Sequence, residues 1–320
     1  MAPDPDLILG LDGGGTKTLI AVADRDGAIL YLRRHPSLDP FTHPDWADRL
    51  RAMLAGLSPW YARLAEAVLA LPCHGEVADL SERQRAVASE LIACRHEVVN
   101  DVEAAFDGAL AGAPGVLLLA GTGSMAWSGN GSRTMRCGGW GDVFGDEGSA
   151  YWIGREALAE VSRALDGRSS NMAFAHAVLA GLGLDAGDLL GWCYDLPARR
   201  ASIAALASSL DAQAEAGEPS ALAILRRAGD ALAAHAEACA RQLDLRPPLA
   251  WSHAGGVFHS RTVMRRVTGQ LGSEPLAPRL PPVGGALLRA AQRAGWRTED
   301  TWIERLDRAL SEGERSAWAA

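Results

Sequence analysis

The sequence predicts an α/β protein in which one core motif occurs twice. Two observations carry this: residues 7–24 and 116–128 both read as strand, glycine loop, strand, and the remaining strands are separated by helical stretches. Residues 7–11 (LILGL) read as a buried strand ending in glycines. Residues 18–24 (TLIAVAD) read as a second strand, and Asp26-Gly27 marks a turn into a third over 28–33. This glycine-tipped hairpin or meander differs from the strand–loop–helix order of a P-loop or Rossmann unit. A helix over 45–56 and a strand over 66–71, stopped by Pro72, follow. Ser81 with Gln84 forms a capping box for a helix over 82–93. A strand over 96–99 leads through Asn100-Asp101 into a helix over 102–112.

The second half opens with a strand over 115–120 (GVLLLA), the loop Gly121-Thr122-Gly123-Ser124 and a strand over 125–128. A glycine-rich stretch, 138–148, runs into a helix over 149–165. The rest is Ala-rich, with helices expected over 201–216, 219–244, 257–269 and 283–294. A strand over 249–253 follows the break at Arg246-Pro247-Pro248. The boundary falls near 112–116, giving one domain over 1–113 and a second, with extra helices, over 114–320. Whether the last helix returns to the first domain stays open.

A chain of 320 residues is long enough to bury two cores. Its net charge of −8 argues against a nucleic-acid partner, which would need clustered Lys and Arg. Backbone N–H groups can still hold a nucleotide locally. The five cysteines, Cys73, Cys94, Cys137, Cys193 and Cys239, contain no CxxC pair and no compact zinc motif. Free thiols fit a reducing cytoplasm. The N-terminus has no basic region followed by an apolar core, so no signal peptide is expected, and no apolar run has membrane-spanning length.

Five constellations could carry chemistry. In Asp12-Gly13-Gly14-Gly15-Thr16-Lys17-Thr18, the glycines let backbone N–H groups approach an anion, and Thr16 and Thr18 could add hydroxyl donors. Asp12 could hold a hydrated Mg²⁺. A tight hairpin turn is the plain alternative. Gly121-Thr122-Gly123 repeats the pattern, and two such loops could clamp a triphosphate from both sides. Asp101 stands where a helix N-cap belongs, but also where a general base for an attacking hydroxyl could sit. The two loops favour the base. In 138–152, acids and Trp140 interleaved with glycines suit a sugar, with Asp146 open between a sugar contact and a helix-start acid. Gly255-Gly256, after a strand, could let adenosine lie against the backbone.

Together LDGGGTKT, LLLAGTGS and CGGWGDVFGDEGSAYWIG resemble the N-acetylglucosamine kinase and BadF/BadG/BcrA/BcrD-type ATPase family, within the actin, Hsp70 and hexokinase superfamily. AGGVFHS resembles its adenosine segment and PPVGGALLRA its closing helix. The resemblance runs from about residue 7 to 295. It implies two ribonuclease H-like lobes with ATP and Mg²⁺ in a cleft, a homodimer, Asp101 as the base facing a sugar hydroxyl, and Gly139, Trp140 and Asp146 near the sugar. Two positions depart from the family. Asp39 stands near where sugar kinases carry an Asn, and Met125 follows the second loop where animal members carry Asn. The implied activity is ATP-dependent phosphorylation of an amino sugar: N-acetylglucosamine, glucosamine or N-acetylmuramate. An ATPase that activates acyl-CoA reductases or dehydratases is the alternative. Such activators hold an iron–sulfur cluster through cysteines, and here the cysteines are scattered.

Overall fold

In the computed structural model, which describes residues 5–318, the N-terminal apolar run becomes β1 (Leu7–Gly13). It is followed by β2 (Lys17–Asp24), β3 (Ile29–Pro36), α1 (Trp46–Ala55), β4 (Leu64–Leu71), α2 (Ala78–Leu91), β5 (Arg95–Asn100) and α3 (Asp101–Leu110). The strands form one sheet in the order β3-β2-β1-β4-β5, with β1 antiparallel to β2 and parallel to β4. Successive side chains of β1 point to opposite faces. Leu7, Leu9 and Leu11 join Trp46, Leu50 and Leu54 of α1 in one core, while Ile8 belongs to another on the opposite face. Burial on both faces is why LILGL shows no polar alternation.

The chain then builds a second unit, Pro114–Leu276. It comprises β6 (Gly115–Ala120), β7 (Ser124–Gly129), β8 (Thr134–Gly138), α4 (Ala150–Leu165), α5 (Met172–Leu182), α6 (Leu189–Asp195), α7 (Arg199–Glu215), α8 (Pro219–Gln242), β9 (Trp251–Ala254) and α9 (Arg261–Leu271). Its sheet order, β8-β7-β6-β9, repeats the 3-2-1-4 part of the first, with the same antiparallel and parallel pairings. The protein is thus an α/β fold with two ribonuclease H-like sheets, one in each unit. Val116, Leu118 and Ala120 of β6 share a core with Ile153 of α4, Leu210 of α7, Leu232 of α8 and Trp251 of β9.

After Leu276 the chain rejoins the first unit, which comprises residues 5–113 and 277–318. Both α10 (Pro282–Arg293) and α11 (Asp300–Trp318) belong there: the return that the sequence left open for the last helix takes in everything after Leu276, so the second domain does not extend over 114–320. The reason is steric and apolar. Val283, Leu287, Trp302 and Ile303 complete the core that contains Ile8. Gly10 makes room for Leu287, whose Cγ would lie 2.8 Å from a Cβ at that position. Gly285 meets α3 so closely that an added Cβ would lie 2.0 Å from the Ala104 carbonyl oxygen. Charge reinforces the seat. Arg289 bonds Glu97, Glu103 and Asp107 at 2.9, 2.7 and 2.9 Å, and Arg293 bonds the fully buried Glu66 at 2.9 Å.

Several local expectations change. The helix expected to start at Ser81 begins at Ala78, because Ser81 is buried inside it. Its hydroxyl donates to the Val77 carbonyl and accepts from Gly75 N–H, and Gln84 donates to the Pro72 carbonyl. The helix expected over 257–269 is split at Ser260, which caps α9 by accepting from Val263 N–H. No single described helix is long and apolar enough to cross a membrane.

Replacing Gly285 by Ala should therefore lower the unfolding free energy of the protein by about 3 kcal/mol, since backbone must move. Gly191→Ala in α6, where a Cβ would meet nothing within 4 Å, should be neutral or stabilise by about 0.5–1 kcal/mol. Urea denaturation of the two variants checks the contrast.

Candidate active site

In each unit the candidate residues lie where parallel strands end. β1, β4 and β5 run parallel, and their last residues lead into Gly13, Pro72 and Asp101. In the second unit β6 and β9 run parallel and lead into Gly121 and Gly255. Open α/β sheets bind ligands outside such carboxyl ends, because loops and helix N-termini gather there.

In the first unit Gly13 closes β1 and Gly14 N–H donates to the Lys17 carbonyl at 2.9 Å, making a tight turn. Gly15 has open space beside it, and Gly15 and Thr16 are exposed. Thr18 is not: it is wholly buried and its hydroxyl makes no hydrogen bond within the protein. The accessible hydroxyl of this loop is that of Thr16. Asp39 is tied to the same loop through Ser37, whose hydroxyl donates to the Gly14 carbonyl and accepts from Asp39 N–H, both at 3.0 Å. The Asp39 carboxylate accepts from Phe41 N–H and from the Thr42 hydroxyl, so it already holds a turn.

Asn100, not Asp101, is the cap of α3: its side chain accepts from Val102 N–H at 2.9 Å and donates to the His74 carbonyl and Glu76. Asp101 is the first helical residue, and one of its oxygens also accepts from Val102 N–H. Burial, then the negative charges of Asp12 and Glu76, push its carboxyl up to about 7. That is the range in which a carboxylate can take a proton near neutral pH. Asp12 is half-buried at the end of β1.

In the second unit the glycine segments come together. Gly121 N–H donates to the Gly123 carbonyl, and Gly121 accepts from Ala150 N–H at the start of α4. Gly255 has φ +100°, and a Cβ there would strike the Ala120 carbonyl oxygen at 2.3 Å, so only glycine permits this approach. Beside them lies a cavity of about 480 Å³ lined by Gly121, Thr122, Gly256 and His259 on one side. Alanines of α7, among them Ala201 and Ala204, face it on another.

The stretch 138–148 separates into two parts. Gly139, at φ +71°, rests on Met125, and Trp140 is 64% exposed with Arg136 over its ring. Asp146 is buried, and its carboxylate bonds Arg200 of α7 at 2.6 Å. Burial raises its pKa above the ordinary value, while Arg200 and Ser124 N–H pull the other way. A Cβ on Gly123 would lie 2.8 Å from the Arg200 guanidinium and 2.9 Å from Asp146. The pair thus backs the second glycine loop. Arg200 was not singled out from the sequence; its signal was an Arg199-Arg200 doublet opening an otherwise Ala-rich helix.

No group of three or more His, Cys, Asp or Glu residues able to hold a metal by itself occurs among the described residues. Mg²⁺ can bind through one or two carboxylates, waters and phosphates, so Asp12 fits such a role without a protein cage.

Because the folded protein holds the Asp101 proton more tightly than the unfolded chain, stability contributed at low pH is lost as pH rises from the ordinary carboxylate range through about 7. Asp101→Asn removes that loss. Its melting temperature relative to the wild type should therefore rise between pH 5 and pH 8.

Residues 9–290 match the BadF/BadG/BcrA/BcrD ATPase family. The N-acetylmuramic acid/N-acetylglucosamine kinase of Clostridium acetobutylicum is 26% identical over 264 residues, 79% of this chain and 86% of that protein. The N-acetyl-D-glucosamine kinase of Dictyostelium discoideum is 28% identical over 209 residues, 59% of this chain and 65% of that one. A solved structure from Chromobacterium violaceum, presented as a candidate N-acetylglucosamine kinase, superimposes with a TM-score of 0.66 at 28% identity, covering 89% of this chain and 99% of that one. A glucokinase of the ROK family from Streptomyces griseus, solved with glucose and AMPPNP, shares the fold at 19% identity and a TM-score of 0.52, over 89% of this chain and 98% of that one. With the match spanning both glycine loops, Asp101 and nearly all of the closing helix, the chain belongs to the BadF/BadG/BcrA/BcrD ATPase family.

Proposed function

We propose that the protein is an ATP-dependent amino-sugar kinase that phosphorylates N-acetylglucosamine on O6. The observation that carries this is Asp101: a carboxylate beside other acids at the carboxyl end of the sheet, with a pKa near 7. The two related kinases act on N-acetylglucosamine, and one of them also on N-acetylmuramic acid.

In the reaction the sugar hydroxyl attacks the γ-phosphorus of ATP, the bond from that phosphorus to the bridging oxygen breaks, and ADP leaves. Asp101 accepts the hydroxyl proton. Gly15 and Thr16, the exposed residues of the first loop, hold phosphate oxygens together with Lys17, and Thr122 and Gly123 do so in the second unit, while the N–H groups of Gly14 and Gly121 close the turns. The Gly256 side of the cavity takes the adenosine. Mg²⁺ would neutralise charge on the phosphates, and Asp12 is the residue that would hold it. Trp140 offers an apolar face to the sugar ring and Gly139 lets the ring approach. Asp146, paired with Arg200, serves the sugar through one oxygen at most and holds the Gly123 loop with the other. Asp39 serves as a hydroxyl acceptor beside the first loop. The same reading implies a cytoplasmic homodimer.

A coupled assay of ADP release over N-acetylglucosamine, N-acetylmuramate, glucosamine and glucose, with and without Mg²⁺, tests the proposal. Mg²⁺-dependent turnover should be fastest with N-acetylglucosamine; an unstimulated ATPase would sink it. Asp101→Asn should fold normally and lower kcat by roughly 10²-fold or more. In the wild type, kcat/KM should rise with pH through an apparent pKa near 7, because the ionised carboxylate is the active form.

A further inference from the structure

The stretch 138–148 reaches α8 at both of its ends. Gly138, at φ +75°, lies on the ring of His235, where an added Cβ would stand 2.9 Å from Cε1 and 3.0 Å from Nδ1. Gly148, at φ +82°, lies on α8 about two turns earlier, where a Cβ would stand 2.7 Å from the Ala228 carbonyl oxygen. Next to Gly148, the Glu147 carboxylate comes within 3.6 Å of His235 Nε2. His235 thus touches the first residue of the stretch and the last but one. Between these seats Trp140, Val143 and Phe144 are exposed.

His235 is not what holds α8 in place. The helix packs through Leu232, Ala233, Ala236 and Cys239, all in the core of the second unit, and His235 lies outside that core. Burial lowers its pKa, against the pull of Glu147 and then Asp146, so the ring is neutral at pH 7. Its Nδ1 is enclosed and makes no hydrogen bond among the described residues, which assigns the proton to Nε2, facing Glu147. A flat, neutral ring fills the space under Gly138 and offers Glu147 an N–H dipole.

We infer that His235 is a positioning residue for the sugar: it keeps the two ends of 138–148 in register and so presets Gly139 and Trp140 for the ring they meet. The inference rests on the kinase reading, which sets those two residues against the sugar. Without the imidazole the ends would part, and sugar binding would have to supply the ordering of the stretch. That cost falls on sugar affinity. Once the sugar is bound the same arrangement is restored, so the chemical step is spared.

The test uses His235→Ala and His235→Gln in the full chain. Gln keeps bulk under Gly138 and an N–H donor for Glu147. In His235→Ala the KM for N-acetylglucosamine should rise about tenfold or more, with kcat and the KM for ATP within about threefold of the wild type. His235→Gln should recover most of the loss. Chymotrypsin, which cuts after exposed aromatic residues, should cleave folded His235→Ala after Trp140 and Phe144 about tenfold faster than the wild type, because the stretch opens locally. A kcat that falls while both KM values hold, as from a partly unfolded chain, overturns the inference. An unchanged cleavage rate overturns it too. If His235→Ala does not fold, His235→Asn, one carbon shorter than Gln, takes its place with the same outcomes. A wild type that phosphorylates no sugar sinks the kinase reading and the sugar half of the inference; cleavage then decides whether His235 holds the stretch.

Discussion

The contact on which the first unit depends is the close approach of α3 and α10 at Gly108 and Gly285. A side chain on either glycine would collide with backbone of the partner segment. The approach brings Arg289 among Glu97, Glu103 and Asp107, three acids that burial would otherwise leave costly. Burial opposes the charge on Arg289, but its carboxylate neighbours outweigh this and raise its pKa. Asp107, more buried than compensated, is still pushed up to about 6. The result is a rigid mount for the helix whose first residue is Asp101. Steric fit at one end of α3 therefore fixes Asp101 at the other.

The same economy of parts recurs in the second unit. The Asp146–Arg200 pair supports Gly123, Ser124 anchors the Glu147 carbonyl, and Ala150 N–H grips Gly121. Strand, glycine loop and helix start are stitched into one surface next to the cavity. α7 contributes to it twice, through Arg200 at the loop and through the alanines that line the cavity. Preorganisation of this kind is what phosphoryl transfer demands, since positioning and charge do most of the work.

Much of this was legible in the sequence. The continuous apolar runs in 7–11 and 115–120 marked strands buried on both faces, and the glycine loops after them marked strand ends. Other parts were not. β8 was missed because its alternation, Met135 and Cys137 with Thr134 and Arg136, is only two periods long and merges into a glycine run. The capping box at Ser81 was misleading because the same hydroxyl served a turn within a helix already begun. Asp101 and Asn100 are both good caps, and only coordinates show which side chain bonds Val102 and which stays beside the acids. Arg200 belongs to a helix whose sequence reads as filler, and its meaning lies in Asp146, far away in the chain. Cys137 and Cys239, 102 positions apart, prove to be neighbours, a proximity no spacing rule reveals.

The path of the chain has a consequence for its birth on the ribosome. The N-terminal sheet is made before α10 and α11, yet the face carrying Ile8, Ala21 and Gly10, touched until then only at its side by Ala104 of α3, lacks most of its apolar cover until they emerge. The whole of Pro114–Leu276 leaves the exit tunnel in between. The second unit is thus the first that can mature, while the unit bearing Asp101 waits for α10 and α11. A premature stop before α10 would leave a chain with the second unit complete and Asp101 in a unit that lacks its closing helices.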